Sequence, residues 1–509
     1  MAPTLATVAS ATLLGVDGHP VTVEVHASGG IPAFTIVGQP DAACREARDR
    51  VRAAIQSSGL KWETCRYTVN LAPTGMRKAG AGLDLAIAVG ILAATDQVSA
   101  GDIGRVGFVG ELGLDGSVRK VPGVLSLVDA LQTPSVVVPR ACAVEAQLVA
   151  RHEVRAVGGL AELVGCLRGE QPWPDLPAAD EAPVLEPDGL DFDQVHGQPF
   201  ARGALEVAAA GGHHVLMVGP PGAGKTMLAQ RLPGVLPDLN GPDALDATRI
   251  HSAAGVRLPA GGLVRRPPFR APHHSASMAA LIGGGSARLQ PGEISLAHAG
   301  VLFLDELAEF PTFVLDSLRQ PLEEGVVRVA RADAKVSLPA RFLLVGAMNP
   351  CPCGMRSSPD SCRCTDHRLA RYCRRVSGPL LDRFDLRIDV QRADPLDLLQ
   401  SAAAQSSAEI GARVSVARSV AASRGVRCNA ELSPAALDRW APLTREAAAV
   451  LEGALRGGKL SARGLHRVRR VARTVADLRG SDGAITESDA SCALVLRSEP
   501  SFLVARMAS

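Results

Sequence analysis

The chain has 509 residues, of which 47% are hydrophobic and 21% charged, and its formal net charge is +2 at pH 7. This length and apolar content predict a globular protein of two to four domains with proper cores. The near-neutral charge excludes a uniformly basic nucleic-acid-binding surface, and 3% aromatic residues argue against bases stacked on aromatic rings, so DNA affinity would depend on local basic patches.

Residues 1–166 predict an α+β unit, because short alternating apolar segments are interspersed with longer helical patterns. The predicted elements are strands near 21–25, 34–37 and 67–71, helices at 41–57 and 83–94, and further β/α segments near Val136 and Val154. Residues 167–190 contain several prolines and acidic residues without periodicity, and this composition predicts an interdomain linker.

A glycine-rich turn follows the apolar run 214–218, which predicts a buried strand, and it leads into a helix. This is the phosphate cradle of P-loop NTPases, in which glycines leave backbone N–H groups free to face phosphate oxygens. Lys225 would reach the β and γ phosphates, and the Thr226 hydroxyl would ligate Mg²⁺. We therefore predict ATP and Mg²⁺ as cofactors, with nucleotide contacts from Gly219, Pro220, Pro221, Gly222, Ala223, Gly224, Lys225, Thr226 and Met227.

Two later apolar runs complete the predicted ATPase chemistry. The run 301–304 ends at Asp305, a carboxylate for Mg²⁺, and Glu306, a carboxylate that would polarise the attacking water, and such a pair suits hydrolysis. Asn349 ends the run 342–348 and is assigned as the residue that holds this water; the alternative is an asparagine that only starts a turn. These segments predict an α/β nucleotide domain over 191–390, followed by a helical region over 391–509.

Four cysteines form two C-x-C pairs on a short loop rich in proline, glycine and serine. Four soft ligands at this spacing suit tetrahedral Zn²⁺, so residues 351–364 predict a structural zinc knuckle. An iron–sulfur cluster, reduced thiols or a redox disulfide are the alternatives. The predicted ligands are Cys351, Cys353, Cys362 and Cys364, whereas the later Cys373 is interpreted as a non-ligand.

Three stretches go beyond a generic ATPase: Pro-Phe-Arg-Ala-Pro-His-His at 268–274, Pro-Gly-Glu-Ile-Ser-Leu-Ala-His-Ala-Gly at 291–300, and Ser-Gly-Pro-Leu-Leu-Asp-Arg-Phe-Asp-Leu at 377–386. Through them the chain resembles the magnesium-chelatase-like AAA+ family of the ComM/YifB type over nearly its whole length. The resemblance implies a central AAA+ core, a C-terminal helical lid and a hexameric ring. It also implies a DNA helicase that promotes branch migration.

The resemblance assigns roles to residues outside the P-loop. Arg383 resembles an arginine finger that is offered to the γ-phosphate of a neighbouring subunit; the alternative is an ion pair within the chain, with Asp382 or Asp385. Arg463 is interpreted as the second sensor residue, with Arg467, one helical turn later, as the substitute.

Two further segments are interpreted through the same family. Gln198 lies in a segment that resembles the one packed against adenine, although a simple turn into the first strand is the alternative. Residues 250–290 resemble an inserted pore loop. Within it, His273 and His274 have no cysteine or carboxylate at ligand spacing, so a structural or nucleic-acid contact is expected of them.

The segment 325–340 alternates small or apolar residues with basic ones and predicts a hairpin directly before the Asn349 strand. In the related clade such a hairpin grips the DNA backbone, which suits a translocase because phosphate contacts are independent of sequence. Arg328, Arg331 and Lys335 are therefore predicted DNA contacts, with a solvated surface hairpin as the alternative.

The N-terminal unit resembles the catalytic domain of Lon protease through three motifs, at 73–85, 110–116 and 122–125. That family uses a Ser–Lys dyad, but here Gly82 or a neighbour stands at the serine position and Leu125 at the lysine position. We therefore predict a proteolytically inert domain, and interpret Lys78 and Lys120 as surface or DNA-facing charges.

The leading hypothesis is an ATP-driven DNA translocase of recombination intermediates that assembles as a homo-oligomer and binds single-stranded or branched DNA. The alternative is a chelatase-type motor that remodels a protein partner without DNA. The longest apolar stretch, near 85–94, is far shorter than the roughly 20 residues of a membrane span, and the first residues lack a secretion signal. We expect a soluble cytoplasmic protein without a membrane partner.

Overall fold

The computed structural model describes residues 4–177, 189–285, 289–331, 334–356, 362–396 and 405–498. Most of the predicted linker, part of the predicted cysteine knuckle and the last residues of the chain lie outside these ranges. The described parts comprise an N-terminal mixed sheet with helices, a central parallel sheet and a C-terminal group of helices.

The N-terminal unit is built on a seven-stranded mixed sheet with the order β3-β4-β2-β1-β5-β8-β9. Its strands are β1 (Thr4–Leu14), β2 (Asp17–Ser28), β3 (Ala33–Val37), β4 (Arg66–Ala72), β5 (Val106–Phe108), β6 (Glu111–Leu112), β7 (Val118–Arg119), β8 (Ser135–Pro139) and β9 (Glu153–Val157), of which β6 and β7 form a separate hairpin. Its helices are α1 (Ala42–Ser57), α2 (Asp84–Ala94), α3 (Ala100–Ile103), α4 (Val124–Asp129), α5 (Ala143–Gln147) and α6 (Leu160–Leu167).

The predicted N-terminal elements are present, and their residue patterns explain them. In β2, the valines at 21, 23 and 25 are buried while their neighbours face outward, which is the period of a strand with one buried face. Every residue of α2 is buried, which accounts for a helix that is apolar on all sides. Strand β1, which pairs with β2, was not predicted. Its many small and polar residues, such as Ser10 and Thr12, give a weak strand signal.

The central unit contains a five-stranded parallel sheet with the order β11-β14-β17-β10-β18. The strands are β10 (Val215–Val218), β11 (Phe269–Arg270), β12 (Gly283–Gly284), β13 (Gln290–Pro291), β14 (Val301–Leu304), β15 (Val326–Arg331), β16 (Ala334–Pro339), β17 (Leu343–Met348) and β18 (Leu386–Asp389). The helices are α7 (Pro199–Gly211), α8 (Lys225–Arg231), α9 (Gly241–Ala253), α10 (Met278–Ile282), α11 (Glu293–Leu296), α12 (Thr312–Ser317), α13 (Arg319–Glu324), α14 (Asp366–Arg374) and α15 (Gly378–Leu381).

Three adjacent strands, β14, β17 and β10, are buried along their whole length, as expected of a parallel sheet covered on both faces. Because they are parallel, their carboxyl ends meet at one edge of the sheet. The glycine-rich turn, the acidic pair and Asn349 each follow one of these strands, so the fold alone places them side by side.

The C-terminal unit is helical: α16 (Ser407–Ser423), α17 (Pro434–Trp440), α18 (Arg445–Arg456), α19 (Ala462–Leu478) and α20 (Glu487–Leu496). Each helix begins after a serine or threonine whose side chain accepts a hydrogen bond from a backbone N–H in the first turn, a cap that fixes the start of the helix. None of the described helices is both long and apolar enough to cross a membrane.

The described residues form several apolar cores, two of which join units. One core lies inside the N-terminal unit, and another joins the central sheet to the C-terminal helices. A third is shared, because it contains Leu13 and Val136 of the N-terminal sheet together with Leu216 and Leu304 of the central sheet. The N-terminal unit is therefore packed against the central unit through a continuous apolar interior.

Candidate nucleotide-binding and active site

A cavity of about 410 Å³ opens at the carboxyl edge of the parallel sheet. We call it the nucleotide cavity; it is lined by Pro221, Gly222, Ala223, Gly224, Lys225, Thr226, Met227, Asp305, Glu306, Met348 and Asn349. The structure thus brings together all five groups that the sequence assigned to ATP chemistry within one subunit, together with most of the predicted P-loop contacts.

Lys225 is the first residue of α8 and is largely buried in the turn that precedes it. Its Nζ donates hydrogen bonds to the carbonyls of Gly219 at 2.7 Å and Pro220 at 3.0 Å, and to Oδ1 of Asn349 at 3.2 Å. Burial lowers the pKa of this amine, while the nearby Asp305 carboxylate raises it. A partly desolvated cation held at a helix N-terminus is suited to bind phosphate.

Thr226 and Asp305 are in direct contact across the cavity. The Thr226 hydroxyl donates to Oδ2 of Asp305 at 2.7 Å, and the second oxygen of the same carboxylate accepts the backbone N–H of Glu306 at 2.9 Å. A hydroxyl and a carboxylate at this separation offer the hard oxygen ligands that Mg²⁺ prefers. The residues present therefore fit a magnesium ion shared with bound phosphate.

Glu306 has a backbone φ of 50°, in the left-handed region that non-glycine residues seldom adopt. Its Oε2 lies 3.1 Å from Nδ1 of His274. The sequence has no carboxylate at ligand spacing around the two histidines, and this partner follows a separate strand, so spacing along the chain could not reveal it. His274 is thus a neighbour of the candidate catalytic glutamate that sequence reasoning missed.

Asn349 is fixed on two sides. Its side-chain oxygen accepts from Lys225, and its backbone carbonyl accepts a hydrogen bond from the Tyr372 hydroxyl of α14 at 3.2 Å. Burial raises the pKa of this phenol, so it remains a donor. The asparagine therefore faces the same cavity as the acidic pair, as a water-holding role requires.

Gln198 is buried directly before α7, close to the phosphate turn. Its amide nitrogen donates to the carbonyl of Ala223 at 3.3 Å and to that of Gln391 at 2.5 Å. These bonds tie the start of α7 to the P-loop and to the end of β18. Its contact with adenine stays a prediction.

Comparison with known families covers almost the whole chain. A model described as magnesium chelatase, subunit ChlI, matches residues 191–398, one described as subunit ChlI of Mg-chelatase matches 23–141, and one described as magnesium chelatase, subunit ChlI C-terminal, matches 404–497.

Individual relatives agree with these matches. Competence protein ComM of Haemophilus influenzae is 43% identical over 483 residues, which is 94% of each chain. The uncharacterized protein YifB of Escherichia coli is 42% identical over 472 residues, 92% of each chain. The chain belongs to the magnesium-chelatase-like ComM/YifB family. The magnesium-chelatase 38 kDa subunit of Rhodobacter capsulatus is more distant, with 25% identity over 177 residues, 31% of this chain and 50% of that one.

Membership in this family makes the chain an AAA+ ATPase-type protein and implies ATP and Mg²⁺ as cofactors. The ComM/YifB chains are matched from the N-terminal unit to the C-terminal helices, so the prediction of the family from three short motifs is confirmed.

Arg383 lies just after α15 and forms an ion pair with Glu323 of α13. An ion pair within the chain is thus present, but not with either of the two aspartates considered. Asp382 and Asp385 do not pair with it; Asp385 instead contacts Arg467 of α19, 2.6 Å away. The arginine is only partly exposed, and the candidate role in a neighbouring subunit stays a prediction.

Four arginines gather around this position, and we call the group the arginine edge: Arg319, Arg383, Arg463 and Arg467. Burial, followed by repulsion from the other three, lowers the pKa of Arg383. Arg463 is exposed in the first turn of α19, whereas Arg467 is held by Asp385 and by the backbone carbonyl of Arg383. Of the two sensor candidates, Arg463 is therefore the one with a side chain available to a ligand.

The four predicted zinc ligands converge, with all four sulfur atoms within 4.8 Å of one another. Sγ of Cys351 lies 3.3 Å from Cys353 and 3.9 Å from Cys362, and Cys353 lies 3.7 Å from Cys362. Tetrahedral zinc with Zn–S bonds near 2.3 Å separates its sulfurs by about 3.8 Å, so the cluster fits the ion. A backbone N–H at Met355 and the neighbouring thiols lower the pKa of Cys353 to about 6, which favours a thiolate.

The cysteine cluster also touches the nucleotide cavity. Gly354 has a φ of 76°, and a β-carbon at this position would lie 2.6 Å from Cδ of the P-loop residue Pro221. Cys351, two residues after Asn349, is fully buried. A metal held here would therefore fix the backbone directly behind the phosphate turn. Cys373 is not part of the cluster.

The predicted hairpin is present as the antiparallel pair β15–β16, in which Arg328 lies opposite Ser337 and Lys335 opposite Ala330. Arg328 and Lys335 are exposed, and Arg328 pairs with Glu324 at the end of α13. The side chain of Arg331 lies outside the described residues. The hairpin thus presents one free and one paired basic side chain near its described end.

The N-terminal unit corrects one expectation. Lys78 is not a surface charge: it is fully buried, and its amine bonds the Pro73 carbonyl, so burial lowers its pKa. Lys120 is exposed, as expected. Leu125 is buried on α4, and its backbone N–H is bound by the Glu145 carboxylate at 2.9 Å.

Proposed function

We propose that this chain is an ATP-hydrolysing DNA translocase that works as a hexameric ring and promotes branch migration of recombination intermediates. The observation that carries the catalytic part is the grouping of Lys225, Thr226, Asp305, Glu306 and Asn349 around one cavity. The relative named competence protein supports a role in natural transformation, with DNA repair as the other setting.

Within one subunit, Lys225 and the backbone N–H groups of the P-loop bind the phosphates. Thr226 and Asp305 would hold Mg²⁺, which when bound would neutralise part of the negative charge of the phosphates. Glu306 accepts a proton from the attacking water, and Asn349 orients that water from the opposite side. Two contacts among these side chains, Lys225 with Asn349 at 3.2 Å and Thr226 with Asp305 at 2.7 Å, support the preorganisation that this chemistry needs.

The remaining charge stabilisation comes from the next subunit. Arg383 of the arginine edge would reach a neighbour's γ-phosphate, which makes hydrolysis depend on ring assembly, and Arg463 would act as the second sensor residue. The pair with Glu323 would then hold Arg383 in place until the neighbour docks. No arginine lines the cavity within the described part of the subunit, and this supports a finger supplied in trans.

DNA contact is proposed for Arg328, Arg331 and Lys335 on the hairpin. A second basic group lies beside the cysteine cluster: Arg356, Arg363, Arg368 and Arg371 form no ion pair within the described ranges. Uncompensated arginines are available for phosphate oxygens, and such contacts carry no sequence preference. Both groups therefore suit a motor that follows the DNA backbone.

The second candidate function is a chelatase-type motor that remodels a protein partner without DNA. It is supported by the three family matches, which are all described by a magnesium-chelatase subunit, and by the Rhodobacter relative. Under this function the hairpin and the arginines beside the cysteine cluster would be solvated surface charges.

The discriminating experiment is the steady-state ATPase rate with and without single-stranded and forked DNA. The native chain is compared with Arg328→Ala/Lys335→Ala and with a control, Arg456→Ala/Lys459→Ala. The control removes the same charges from the C-terminal helices, where Arg456 likewise pairs with a glutamate four residues earlier and Lys459 is exposed.

We expect DNA to stimulate the native chain and the control, and to have little effect on the hairpin variant, whose basal rate survives. A rate that DNA leaves unchanged in all three proteins, yet is abolished by Glu306→Gln, would contradict the translocase and favour the chelatase-type motor.

A further inference from the structure

The base of the basic hairpin rests on the N-terminal unit. β1 and β2 are joined by a two-residue turn, 15–16, in which Gly15 has a φ of 66°. A β-carbon on Gly15 would overlap Cγ1 of Val336 and would lie 3.4 Å from Cδ2 of Leu338, both on strand β16. Position 15 therefore requires glycine for two reasons: the positive φ of the turn and the close approach of the hairpin.

The contact belongs to a continuous apolar core. Leu13 and Val16 of the N-terminal sheet lie in the same core as Val327, Val336 and Leu338 of the hairpin, and all five are buried. Side chains alternate between the two faces of strands β15 and β16. The residues between the buried ones are exposed, so the second face of the hairpin points outward. The face that carries Arg328 and Lys335 is thus oriented by the face that rests on the N-terminal unit.

Buried hydrogen bonds hold the two units in this arrangement. Ser252 of α9 accepts the backbone N–H of Gly123 with both its carbonyl, at 3.1 Å, and its hydroxyl oxygen, at 2.9 Å. The same hydroxyl donates to the buried carboxylate of Glu145. Nearby, Arg249 pairs with Asp129 at 2.7 Å. The buried bonds of Ser252 are costly to break, so they restrain the segment at Gly123 against α9. Gly123 in turn lies against Leu13, two residues before Gly15, which connects this restraint to the turn.

We propose that the N-terminal unit is the positioning element of the DNA-binding hairpin, and that turn 15–16 is the seat that sets the hairpin's direction. The proposal rests on the proposed function, since it assigns the hairpin to DNA. The nucleotide cavity does not include this seat. Disturbing the seat therefore weakens the response to DNA and leaves basal ATP hydrolysis in place.

The test compares Gly15→Ala with Gly59→Ala. Gly59 has a similar φ of 72°, but an added β-carbon there meets nothing within 4 Å, so it matches the backbone strain without the overlap. We expect Gly15→Ala to need about tenfold more single-stranded oligonucleotide for half-maximal ATPase stimulation, because small displacements of contact groups weaken binding steeply. Gly59→Ala should match the native chain.

A rescue variant checks the mechanism. Val336→Ala removes the methyl group that a residue at 15 would overlap, so Gly15→Ala/Val336→Ala should regain most of the DNA response. Two substitutions at one contact are expected to be non-additive. A double variant that is as defective as the product of the two single variants would overturn the proposed seat.

A second readout needs no DNA. Amide hydrogen exchange of strands β15 and β16 should be faster in Gly15→Ala than in Gly59→Ala. If exchange and the DNA requirement are the same in the two variants, the proposal is wrong. If Arg328→Ala/Lys335→Ala leaves DNA stimulation intact, the DNA contact of the proposed function fails instead, and the exchange data still decide the seat.

If Gly15→Ala loses basal hydrolysis as well, the comparison moves to Val336→Ala and Val329→Ala. These two residues face each other across the hairpin, so both variants weaken the same cross-strand pair. Of this pair, Val336 is the residue that supplies the atoms nearest to a β-carbon at position 15. Faster exchange and weaker DNA response in Val336→Ala than in Val329→Ala support the proposal, and equal effects overturn it.

Discussion

The nucleotide cavity and the arginine edge lie on different parts of the same subunit. The cavity is formed by loops after three adjacent strands. Within it, Lys225 donates to the Gly219 carbonyl and to Asn349, and Thr226 donates to Asp305, at 2.7–3.2 Å. The arginine edge comes from α13, the end of α15 and α19. Three of its members pair with acids of their own subunit, Arg319 with Asp316, Arg383 with Glu323 and Arg467 with Asp385, and Arg463 is exposed. No described arginine lines the cavity.

This difference has a functional consequence. Under the proposed function, the cavity supplies the groups for Mg²⁺ and phosphate within one subunit, because Thr226 contacts Asp305 and Lys225 lies beside them. Stabilising the charge that develops during hydrolysis needs a further cation, and the subunit carries its candidates elsewhere. Under the proposed function, each subunit therefore supplies one half of two different active sites.

The largest expected effect is the loss of ATPase activity in two variants, one in the arginine edge and one in the nucleotide cavity. Arg383→Ala should lower the ATPase rate about 10³-fold, as loss of an arginine finger does, and Lys225→Ala should abolish it. Mixing the two inactive chains in equal amounts leaves about a quarter of the interfaces with both groups intact, so activity should reappear. Steady-state hydrolysis of the mixture measures this.

Arg456→Ala, an exposed arginine on α18, serves as the control and should retain the native rate alone. A mixture no more active than its inactive components would mean that Arg383 acts within its own subunit or not at all, and the division into two halves would be wrong.

The next effect concerns the cysteine cluster, which lies beside the nucleotide cavity. Cys353→Ser should remove bound zinc and destabilise the chain by about 3–5 kcal/mol, because loss of a structural metal is among the most damaging single changes. The rate should fall too, since Gly354 contacts the P-loop. Elemental analysis and thermal unfolding provide the measurements.

Cys492→Ser is the matched control, because that cysteine is also exposed but lies outside the cluster. Equal metal content and equal unfolding temperatures in the two serine variants would contradict a zinc site.

The two sensor candidates test the arginine edge itself. Arg467→Ala should destabilise the chain by about 3 kcal/mol, because it leaves the buried Asp385 carboxylate without its arginine. Although burial alone would raise it, the neighbouring His213, 3.5 Å away, and Arg467 hold the pKa of this carboxyl below its ordinary value. Arg463→Ala should reduce hydrolysis and leave stability nearly unchanged, because that side chain is exposed.

Chemical denaturation and ATPase rates distinguish the two variants. Should Arg463→Ala unfold more easily than Arg467→Ala, the structural and catalytic roles assigned along α19 would have to be exchanged.

The smallest effect concerns stability alone, away from both halves. Burial lowers the pKa of His214 and of His298 to about 4, and Nδ1 of each accepts a backbone N–H, from Leu344 at 3.1 Å and from Arg341 at 3.2 Å. Because the folded-state pKa lies below the ordinary value, the unfolded chain binds more protons as pH falls below about 6.5. Stability should drop by about 1–2 kcal/mol per histidine between pH 7 and 5.

Denaturant unfolding at several pH values checks this, with His214→Asn flattening the dependence and the exposed His26→Asn leaving it unchanged. An unaltered pH dependence in His214→Asn would contradict the lowered pKa of this histidine, because it would mean that the residue binds protons equally in the folded and unfolded chains.

The sequence was most informative about functional residues that lie directly after a strand. The P-loop, the acidic pair and Asn349 each lie within a few residues of a strand end, and the parallel order of the strands brings them together. The cysteine cluster was predictable for a similar reason, since both C-x-C pairs lie on one short loop.

Contacts between segments that are far apart in the sequence could not be predicted. His274 contacts Glu306, and Gly15 packs against Val336, through tertiary packing that no local pattern encodes. The burial of Lys78 was not predicted because a lone lysine is usually exposed, whereas here it is fully buried and its amine donates to the Pro73 carbonyl. Glu323 became the partner of Arg383 because α13 packs beside α15, which spacing along the chain does not indicate.

The most direct test of the central claim is ATP-dependent branch migration of a synthetic four-way DNA junction by the assembled chain, with Glu306→Gln as the inactive reference. The account predicts that the native chain converts the junction to its products only with ATP and Mg²⁺, and that Glu306→Gln binds the junction without converting it. Vigorous ATP hydrolysis by a chain that neither binds nor moves the junction would contradict the account.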